Sequence, residues 1–337
     1  MVMRNRAVID LSLLRENAIQ IKSRLSAGVK FCAVVKADAY GHGGCEVSNA
    51  LYDIVDCYAV AIVEEGVALR LAGIDKEILV LIPVGVEDLE RAVRYSFTLT
   101  VTSERDIKRI YAECRRQNKK VKVHIKYNTD MNRQGVDGLE SLRRILGSAS
   151  SRGIEVSGIY THFARPDNRK ALKKAYDKFL LALSLAKSYN NKIIGHASSS
   201  GGFLQGVELD MVRIGILLYG YKPFKSDFPV KPIMKVIAPV IKRRMLGFGK
   251  RALYGGKRTA IRRGISLIRF GYADGLPRTE VKGQFNNRCM DITAITSATG
   301  DFVVVMDDAD ALAKKYRTIS YEILTKVCLR AEKIYLR

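Results

Sequence analysis

Several reactive side chains in this sequence stand at the ends of short apolar runs. Lys36 closes the run KFCAVVKA, Arg133 and His162 follow two further runs, and Arg213 lies within MVRIGILLYG. An amine in a partly desolvated pocket has a lowered pKa, which makes it a nucleophile able to form a Schiff base with an aldehyde. Hydroxyls and free backbone N–H groups at helix starts, such as those of HASSS and around Gly215, also bind phosphate. These residues indicate a site for an anionic cofactor that carries an aldehyde.

The apolar runs recur between residues 30 and 220, with amphipathic segments between them. Eight runs have the composition of buried strands, namely 30–37, 57–63, 77–84, 97–102, 121–128, 155–163, 191–198 and 211–220. The stretches 103–120 and 171–188 repeat apolar residues at helical spacing. Strands that are apolar on both faces and alternate with helices predict a parallel sheet, and eight such units in roughly 200 residues predict a closed (β/α)8 TIM-type barrel. The alternative is an open doubly wound sheet, but no GxGxxG turn follows the first strand.

The sequence changes character after Gly220. The segment 221–232 holds three of the seven prolines and is typical of a linker. Short strands separated by Gly-rich turns follow, at 233–243, 251–260, 265–275, 289–296 and 302–308. We therefore predict two domains, a barrel domain over 1–225 and a smaller, shortened, mostly-β domain over 226–337. The first ten residues could pack with the second domain.

The composition is that of a soluble globular protein, with 47% hydrophobic and 27% charged residues in a chain of 337. The amino end mixes charges through its apolar positions, unlike a signal peptide, and no run approaches the ~18 apolar residues that span a bilayer. The six cysteines show no CxxC pair and no zinc-finger spacing to histidine. We therefore expect a cytoplasmic protein with free thiols, no metal and no membrane contact.

The charge is strongly positive, because 57 Lys and Arg residues face 34 Asp and Glu residues, for a net charge of +23. A field of this sign favours anionic partners and could hold nucleic acid non-specifically. The basic residues do not interleave with exposed aromatic residues as a strand-binding groove requires. We therefore favour a solvated lysine-rich surface over a nucleic-acid partner.

Several motifs resemble those of a known enzyme family. AVVKADAYGHG resembles the pyridoxal-phosphate lysine motif of bacterial alanine racemases, and FGYADGLPR resembles their second catalytic motif. Further motifs follow in the family's order along essentially the whole chain: IDLSLLRENA, VHIKYNTDMNRQGV, GIYTHFA, HASSS, MVRIGILLYG, LYGG, RCMD and SYEIL. The resemblance implies fold type III, with a barrel that binds pyridoxal phosphate. It also implies a β domain that completes the neighbouring subunit's site in a head-to-tail homodimer.

The resemblance also implies a base on each face of the substrate's α-carbon. Lys36 would hold the cofactor and act on one face, and Tyr272 from the other subunit would act on the opposite face. A hydrogen-bonded chain from Tyr272 through His162 to Arg213 matches the family's pattern, and Arg213 would face the pyridine nitrogen. Arg133 would contact the phenolic oxygen of the cofactor and the substrate carboxylate.

Further residues match the family's binding positions. The phosphate would be held by Tyr40, Ser200, Gly215 and Ile216. The backbone N–H of Met290, from the partner subunit, would help to hold the substrate carboxylate. Lys126 matches a lysine that is carbamylated in some members of the family and there steadies the arginine that Arg133 matches.

The sequence departs from the family's pattern at several positions. Ile214 replaces a proline, Asp130 a glycine, Ser199 an asparagine, and Arg330–Ala331–Glu332–Lys333 the usual Arg-Val-Pro-Arg. The β domain is shortened between Tyr272 and Cys289 and again after Thr293. Leu329 stands where a tyrosine usually closes the entrance, so one phosphate contact and a gate are lost. The residues implied in catalysis are all retained, which argues against an inactive relic.

We expect an amino-acid racemase that interconverts L- and D-alanine by a two-base mechanism and supplies D-alanine for peptidoglycan. Leu329 and the shortened loops leave open a racemase for serine or for a broader range of amino acids. A decarboxylase on the same architecture is disfavoured by GYADG with its tyrosine base. The remaining alternative is a non-catalytic homologue whose charge is directed at nucleic acid.

Overall fold

The computed structural model describes residues 4–254, 258–278 and 288–337. These residues form two compact units. The barrel unit comprises Arg15–Ala39 and Gly44–Val230, and the β-rich unit comprises the described parts of Met1–Leu14, Tyr40–Gly43 and Lys231–Arg337. The first strand, β1 (Arg6–Asp10), belongs to the β-rich unit.

Eight parallel strands form the sheet of the barrel unit. They are β2 (Lys30–Val34), β3 (Cys57–Val60), β4 (Ile78–Val80), β5 (Thr98–Val101), β6 (Lys122–Lys126), β7 (Glu155–Tyr160), β8 (Ile194–His196) and β9 (Met211–Ile214). They pair in the order β8-β7-β6-β5-β4-β3-β2-β9. Backbone hydrogen bonds from Asp210 to Gly195 (3.0 Å) and from Arg213 to Ser198 (2.9 Å) join β9 to β8 and close the sheet. The predicted barrel is therefore confirmed.

One helix, α1 (Leu11–Lys22), precedes the first barrel strand, and the other helices of the barrel lie between its strands. These others are the single turn α2 (Lys36–Tyr40), α3 (Gly44–Ala50), α4 (Val63–Leu71), α5 (Val86–Arg94), α6 (Glu104–Gln117), α7 (Leu139–Ser150), α8 (Arg169–Tyr189) and α9 (Ser200–Leu204). Helix α6 is capped by Ser103, whose side chain accepts a hydrogen bond from the backbone of Asp106 in a capping box. In the described part of the chain, no helix is long and apolar enough to cross a membrane.

The β-rich unit is built on one mixed sheet. Its other elements are β10 (Met234–Leu246), β11 (Arg263–Ile268), β12 (Thr293–Thr296), β13 (Phe302–Met306), α10 (Ala309–Tyr316), α11 (Ser320–Val327) and β14 (Glu332–Leu336). The strand order is β12-β11-β10-β1-β14, and β13 also pairs with β10. Strand β1 runs antiparallel to β10 and parallel to β14. Ile9, Val236 and Leu324 are fully buried in the core of this unit.

One predicted strand of the second domain, 251–260, is wrong for its described residues. The backbone N–H of Gly249 donates to the carbonyl of Thr259, and the N–H of Thr259 donates to the carbonyl of Lys250, both at 2.9 Å. These bonds close a loop beyond β10 and leave no extended ladder. Residues 255–257 of that prediction lie outside the described residues.

Candidate active site

The carboxyl ends of the barrel strands bring four cationic side chains together. Lys36 follows β2, Lys126 ends β6, Arg133 lies in the loop after β6, and Arg213 lies on β9. Burial, and next the charge of Arg133, lower the pKa of Lys36, while Glu65 opposes them. Burial, followed by Arg133, Arg213 and Lys36, lowers the pKa of Lys126 to about 7. This concentration of positive charge suits an anionic ligand.

The cations at the mouth are poorly neutralised by the protein itself. Among the described residues, none forms an ion pair with Lys36, Lys126 or Arg133. Lys126 lies 5.4 Å above the ring of Tyr160, and Arg133 is exposed. The amine of Lys126 therefore lies near three positive charges and the ring of Tyr160. An anion that binds there would not have to displace a carboxylate of the described residues.

Lys36 is presented by an unusual backbone. Ala37, Asp38, Ala39 and Tyr40 have φ between 52 and 54°, so α2 is wound in the left-handed sense. This conformation costs roughly 1–2 kcal/mol for each residue that carries a Cβ. The N–H of Ala37 donates to Glu65 (2.6 Å), and the carboxylate of Asp38 accepts from the N–H of Gly44 (2.7 Å). Strain of this kind is found at functional sites, where the surroundings hold it in place.

His162 lies at the carboxyl end of β7, among the same cations. Burial, and then Arg213, Lys126, Arg133 and Lys36 in turn, lower its pKa to about 3. The imidazole is therefore neutral near pH 7, with one nitrogen free to accept a hydrogen bond.

Arg213 is held by uncharged acceptors. Its guanidinium donates to the carbonyls of Thr161 (2.6 Å) and Ala197 (3.2 Å), and to Nδ1 of His196 (2.6 Å). The expected hydrogen bond to His162 is not among the hydrogen bonds of the described residues. The guanidinium turns instead towards β8, because His196 ends that strand and offers an acceptor.

A pair of buried histidines supports Arg213. Because an arginine can only donate, Nδ1 of His196 accepts, and its Nε2–H donates to Nδ1 of His124 at 2.9 Å. Burial lowers the pKa of His124 to about 4 and that of His196 well below its usual value, so both rings are neutral. A Cβ at Gly158, on the intervening strand, would lie 2.6 Å from Nε2 of His124. Nothing in the spacing of the sequence predicts this contact between His196 and His124.

The loop after β9 and the start of α9 present backbone donors. Among the described residues, none accepts the N–H of Gly201, Gly215 or Ile216. Ser200 is buried beside them, and its hydroxyl accepts from the N–H of Leu217 at 3.4 Å. Buried N–H groups are almost always paired, so this cluster indicates a place for an anionic group.

The β-rich unit brings Tyr272 and Met290 together. The N–H of Tyr272 donates to the carbonyl of Cys289, and the N–H of Ala273 donates to that of Met290, both at 3.0 Å. A Cβ at Gly271 would lie 1.9 Å from the carbonyl oxygen of Met290, so only glycine permits this approach. The side chains of Tyr272 and Met290 are both exposed.

Tyr40 packs within the β-rich unit. Its ring centroid lies 5.9 Å from that of Tyr321, with the two rings tilted. Burial raises the pKa of Tyr40, and burial also raises the pKa of Tyr321 to about 12. Both hydroxyls therefore remain protonated at neutral pH and can donate hydrogen bonds.

The lowered pKa of Lys126 predicts how the stability of the protein depends on pH. With a pKa of about 7 in the fold and about 10.4 in the unfolded chain, this residue makes the cofactor-free protein more stable as pH rises from 7 to 10. We expect Lys126→Met to raise the free energy of unfolding at pH 7 by up to about 4 kcal/mol, with the gain shrinking towards pH 10.

Urea unfolding of the cofactor-free protein across this pH range measures the effect. Lys122→Met is the matched control, because Lys122 is exposed at the other end of β6. A gain from Lys126→Met that is the same at pH 7 and pH 10 would contradict the lowered pKa.

Comparison with known proteins places the two units in one family. Residues 9–223 match the family model described as alanine racemase, N-terminal domain, and residues 233–335 match the model described as alanine racemase, C-terminal domain. Together these matches cover nearly the whole chain.

Individual relatives agree with the family models. The alanine racemase of Streptococcus uberis is 29% identical over 361 residues, covering 97% of this chain and 96% of that protein. The alanine racemase of Streptococcus pyogenes serotype M28 is 33% identical over 292 residues, covering 83% of this chain and 80% of that protein. The solved structure of the alanine racemase of Clostridium difficile 630 has a TM-score of 0.93 at 30% identity, covering 100% of this chain and 96% of that chain.

Proposed function

Because this chain belongs to the alanine racemase family, a family of isomerases, we propose that it interconverts L- and D-alanine by a two-base mechanism. The observation that carries the proposal is the gathering of Lys36, Arg133, His162 and Arg213 at one barrel mouth. The side-chain amine of Lys36 has a lowered pKa, and the residues that follow Lys36 have a strained backbone. This arrangement supports a nucleophilic lysine facing an anionic ligand.

The barrel mouth fits pyridoxal phosphate, the cofactor of this family. The N–H groups of Gly201, Gly215 and Ile216, which have no acceptor among the described residues, suit a phosphate beside Ser200. Lys36 would hold the aldehyde carbon covalently, and Arg213 would face the ring nitrogen. When bound, the cofactor supplies an electron sink for the charge left at the substrate's α-carbon after the proton is removed.

Lys36 would remove and return the proton on one face of the α-carbon. A lysine with an ordinary pKa is almost fully protonated at neutral pH and is a poor base. Burial and the charge of Arg133 lower the pKa of Lys36, which increases the fraction of free amine. The lowered pKa of Lys36 favours both its covalent attachment to the cofactor and its action as a base.

Tyr272 of a second copy would act on the opposite face, as the family's head-to-tail dimer implies. Poising a tyrosine near neutral pH requires a shift of about 3 pKa units, or roughly 4 kcal/mol of differential stabilisation. The cations at the barrel mouth would stabilise its phenolate. Neutral His162 would donate its ring N–H to the phenolic oxygen, which holds this oxygen in place and leaves the hydroxyl proton free to face the substrate.

Arg213 and Arg133 would direct the reaction. Arg213 stays protonated and cannot give its proton to the ring nitrogen of the cofactor. The cofactor would therefore withdraw electrons less strongly from the α-carbon. Return of the proton to the α-carbon is then favoured over transamination. His196 and two backbone carbonyls keep its guanidinium in place. Arg133 would bind the substrate carboxylate.

We further propose that the protein acts as a homodimer in the cytoplasm and supplies D-alanine for peptidoglycan. A racemase for serine is the second candidate, because Leu329 is 70% exposed at the position of the usual entrance tyrosine. A smaller side chain there leaves more room for a hydroxymethyl group.

Chiral chromatography of the products tests the proposal. Purified protein with added pyridoxal phosphate is expected to convert L-alanine to an equal mixture of enantiomers, with a higher kcat/KM than for L-serine. A higher kcat/KM for serine would overturn the alanine assignment. Absence of racemisation with both amino acids, with salt-sensitive binding of nucleic acid instead, would favour a non-catalytic homologue.

A further inference from the structure

One arginine of the β-rich unit bridges the loops that carry Tyr272 and Met290. We propose that Arg330 is a positioning residue, which holds these two loops in the arrangement that catalysis requires. The inference rests on the proposed function, because it assumes that Tyr272 and Met290 act on the substrate.

Arg330 lies between α11 and β14 and contacts one carboxylate from each loop. Its Nη1 donates to Oδ1 of Asp291 at 2.8 Å, and its Nε lies 3.8 Å from Oδ1 of Asp274. Asp291 directly follows Met290, and Asp274 ends the turn that begins at Tyr272. A planar guanidinium offers donors in several fixed directions, so it can join two carboxylates at once.

Asp274 is the buried partner, and it shapes the turn of Tyr272. Its Oδ2 accepts from the N–H of Gly271 at 2.8 Å, and its Oδ1 accepts from the side-chain amide of Asn5 at 3.1 Å. The carboxylate therefore ties Asp274 to the backbone of Gly271 across Tyr272, and the side chain of Asn5 holds the carboxylate itself. Arg330 places a positive charge beside this buried carboxylate.

Asp291 is the outer partner, on the loop that would hold the substrate carboxylate. Within the described chain, the side chain of Asp291 has Arg330 as its hydrogen-bond partner. Among the described residues, Arg330 is the cation that forms an ion pair with both carboxylates, so without it their repulsion would separate the two loops.

An ordinary surface ion pair is the alternative interpretation. The side chain of Arg330 is 47% exposed, and pairs of this exposure contribute little to stability. Arg243 is a matched control in the same unit, since it is 45% exposed and contacts Asp301 and three backbone carbonyls. A purely structural role predicts that both arginines behave alike.

The test compares Arg330→Met, Arg330→Lys and Arg243→Met in the dimeric holoenzyme. We expect Arg330→Met to lower kcat about 10- to 100-fold, the effect of a small misplacement of a reacting group. KM for alanine should rise as well, and Arg330→Lys should recover part of both. The thermal midpoint should change by less than about 2 °C, as for other exposed substitutions. Arg243→Met should leave all of these quantities unchanged.

Amide hydrogen exchange gives a readout that needs no activity. In Arg330→Met, the amides of Tyr272 and Ala273 should exchange at least tenfold faster than in the wild type. Unchanged exchange would overturn the inference, and so would kinetics like those of Arg243→Met. A wild type that does not racemise would overturn the proposed function instead, while the exchange result would still decide whether Arg330 orders these loops.

Discussion

Replacing Tyr272 by phenylalanine is expected to lower the rate of alanine racemisation by about 10²- to 10⁴-fold, the contribution of one positioned acid–base group. The remaining base, Lys36, would return the proton to the face from which it came. The turn itself should survive, because it is held by backbone bonds to Cys289 and Met290 and by the carboxylate of Asp274. Steady-state rates in both directions, with cofactor absorbance as a check on binding, measure the effect.

Tyr254→Phe is the matched control for this change. Tyr254 belongs to the same unit and is 81% exposed. We expect it to retain the wild-type rate. A Tyr272→Phe variant that racemises alanine within a few-fold of the wild type would show that another group acts as the second base.

The second large effect is expected at Lys36. Lys36→Met should lower racemisation by at least about 10⁴-fold, the scale on which loss of a nucleophile acts. Methionine keeps the length of the side chain but has no amine. Borohydride reduction followed by mass spectrometry should therefore find pyridoxal phosphate attached to Lys36 in the wild type and no adduct at this position in the variant.

Lys30 offers a control on the same strand. It begins β2 at the end opposite to Lys36, and its side chain is exposed. Lys30→Met should keep both the adduct at Lys36 and the activity. An adduct on another lysine in the wild type, with Lys36 unmodified, would refute the assignment of the nucleophile.

The barrel could be predicted from sequence because its strands are buried on both faces. Even β4, with three residues, stands within the apolar run 77–84. Strand β1 was not predicted, since its partners lie far away along the chain, at Val236 and Lys333 for Ala7. A five-residue strand with such remote partners has no local turn to mark it.

The sequence predicted which residues form the site but not the contacts between them. The direction of Arg213 depends on His196, and the contact of His196 with His124 crosses an intervening strand at Gly158. No spacing along the chain encodes a contact between strands that are not neighbours. The left-handed turn after Lys36 is equally hidden, because Ala37–Tyr40 contains no glycine to indicate positive φ.

Deuterium labelling tests the two-base mechanism most directly. Tyr272→Phe, loaded with pyridoxal phosphate in D2O, would be incubated separately with L-alanine and with D-alanine, and each product analysed for configuration and for deuterium at the α-carbon. We expect deuterium to enter one enantiomer only, through Lys36, with almost no conversion to the other. Rapid formation of the opposite enantiomer by this variant would contradict the central claim that Tyr272 serves the second face.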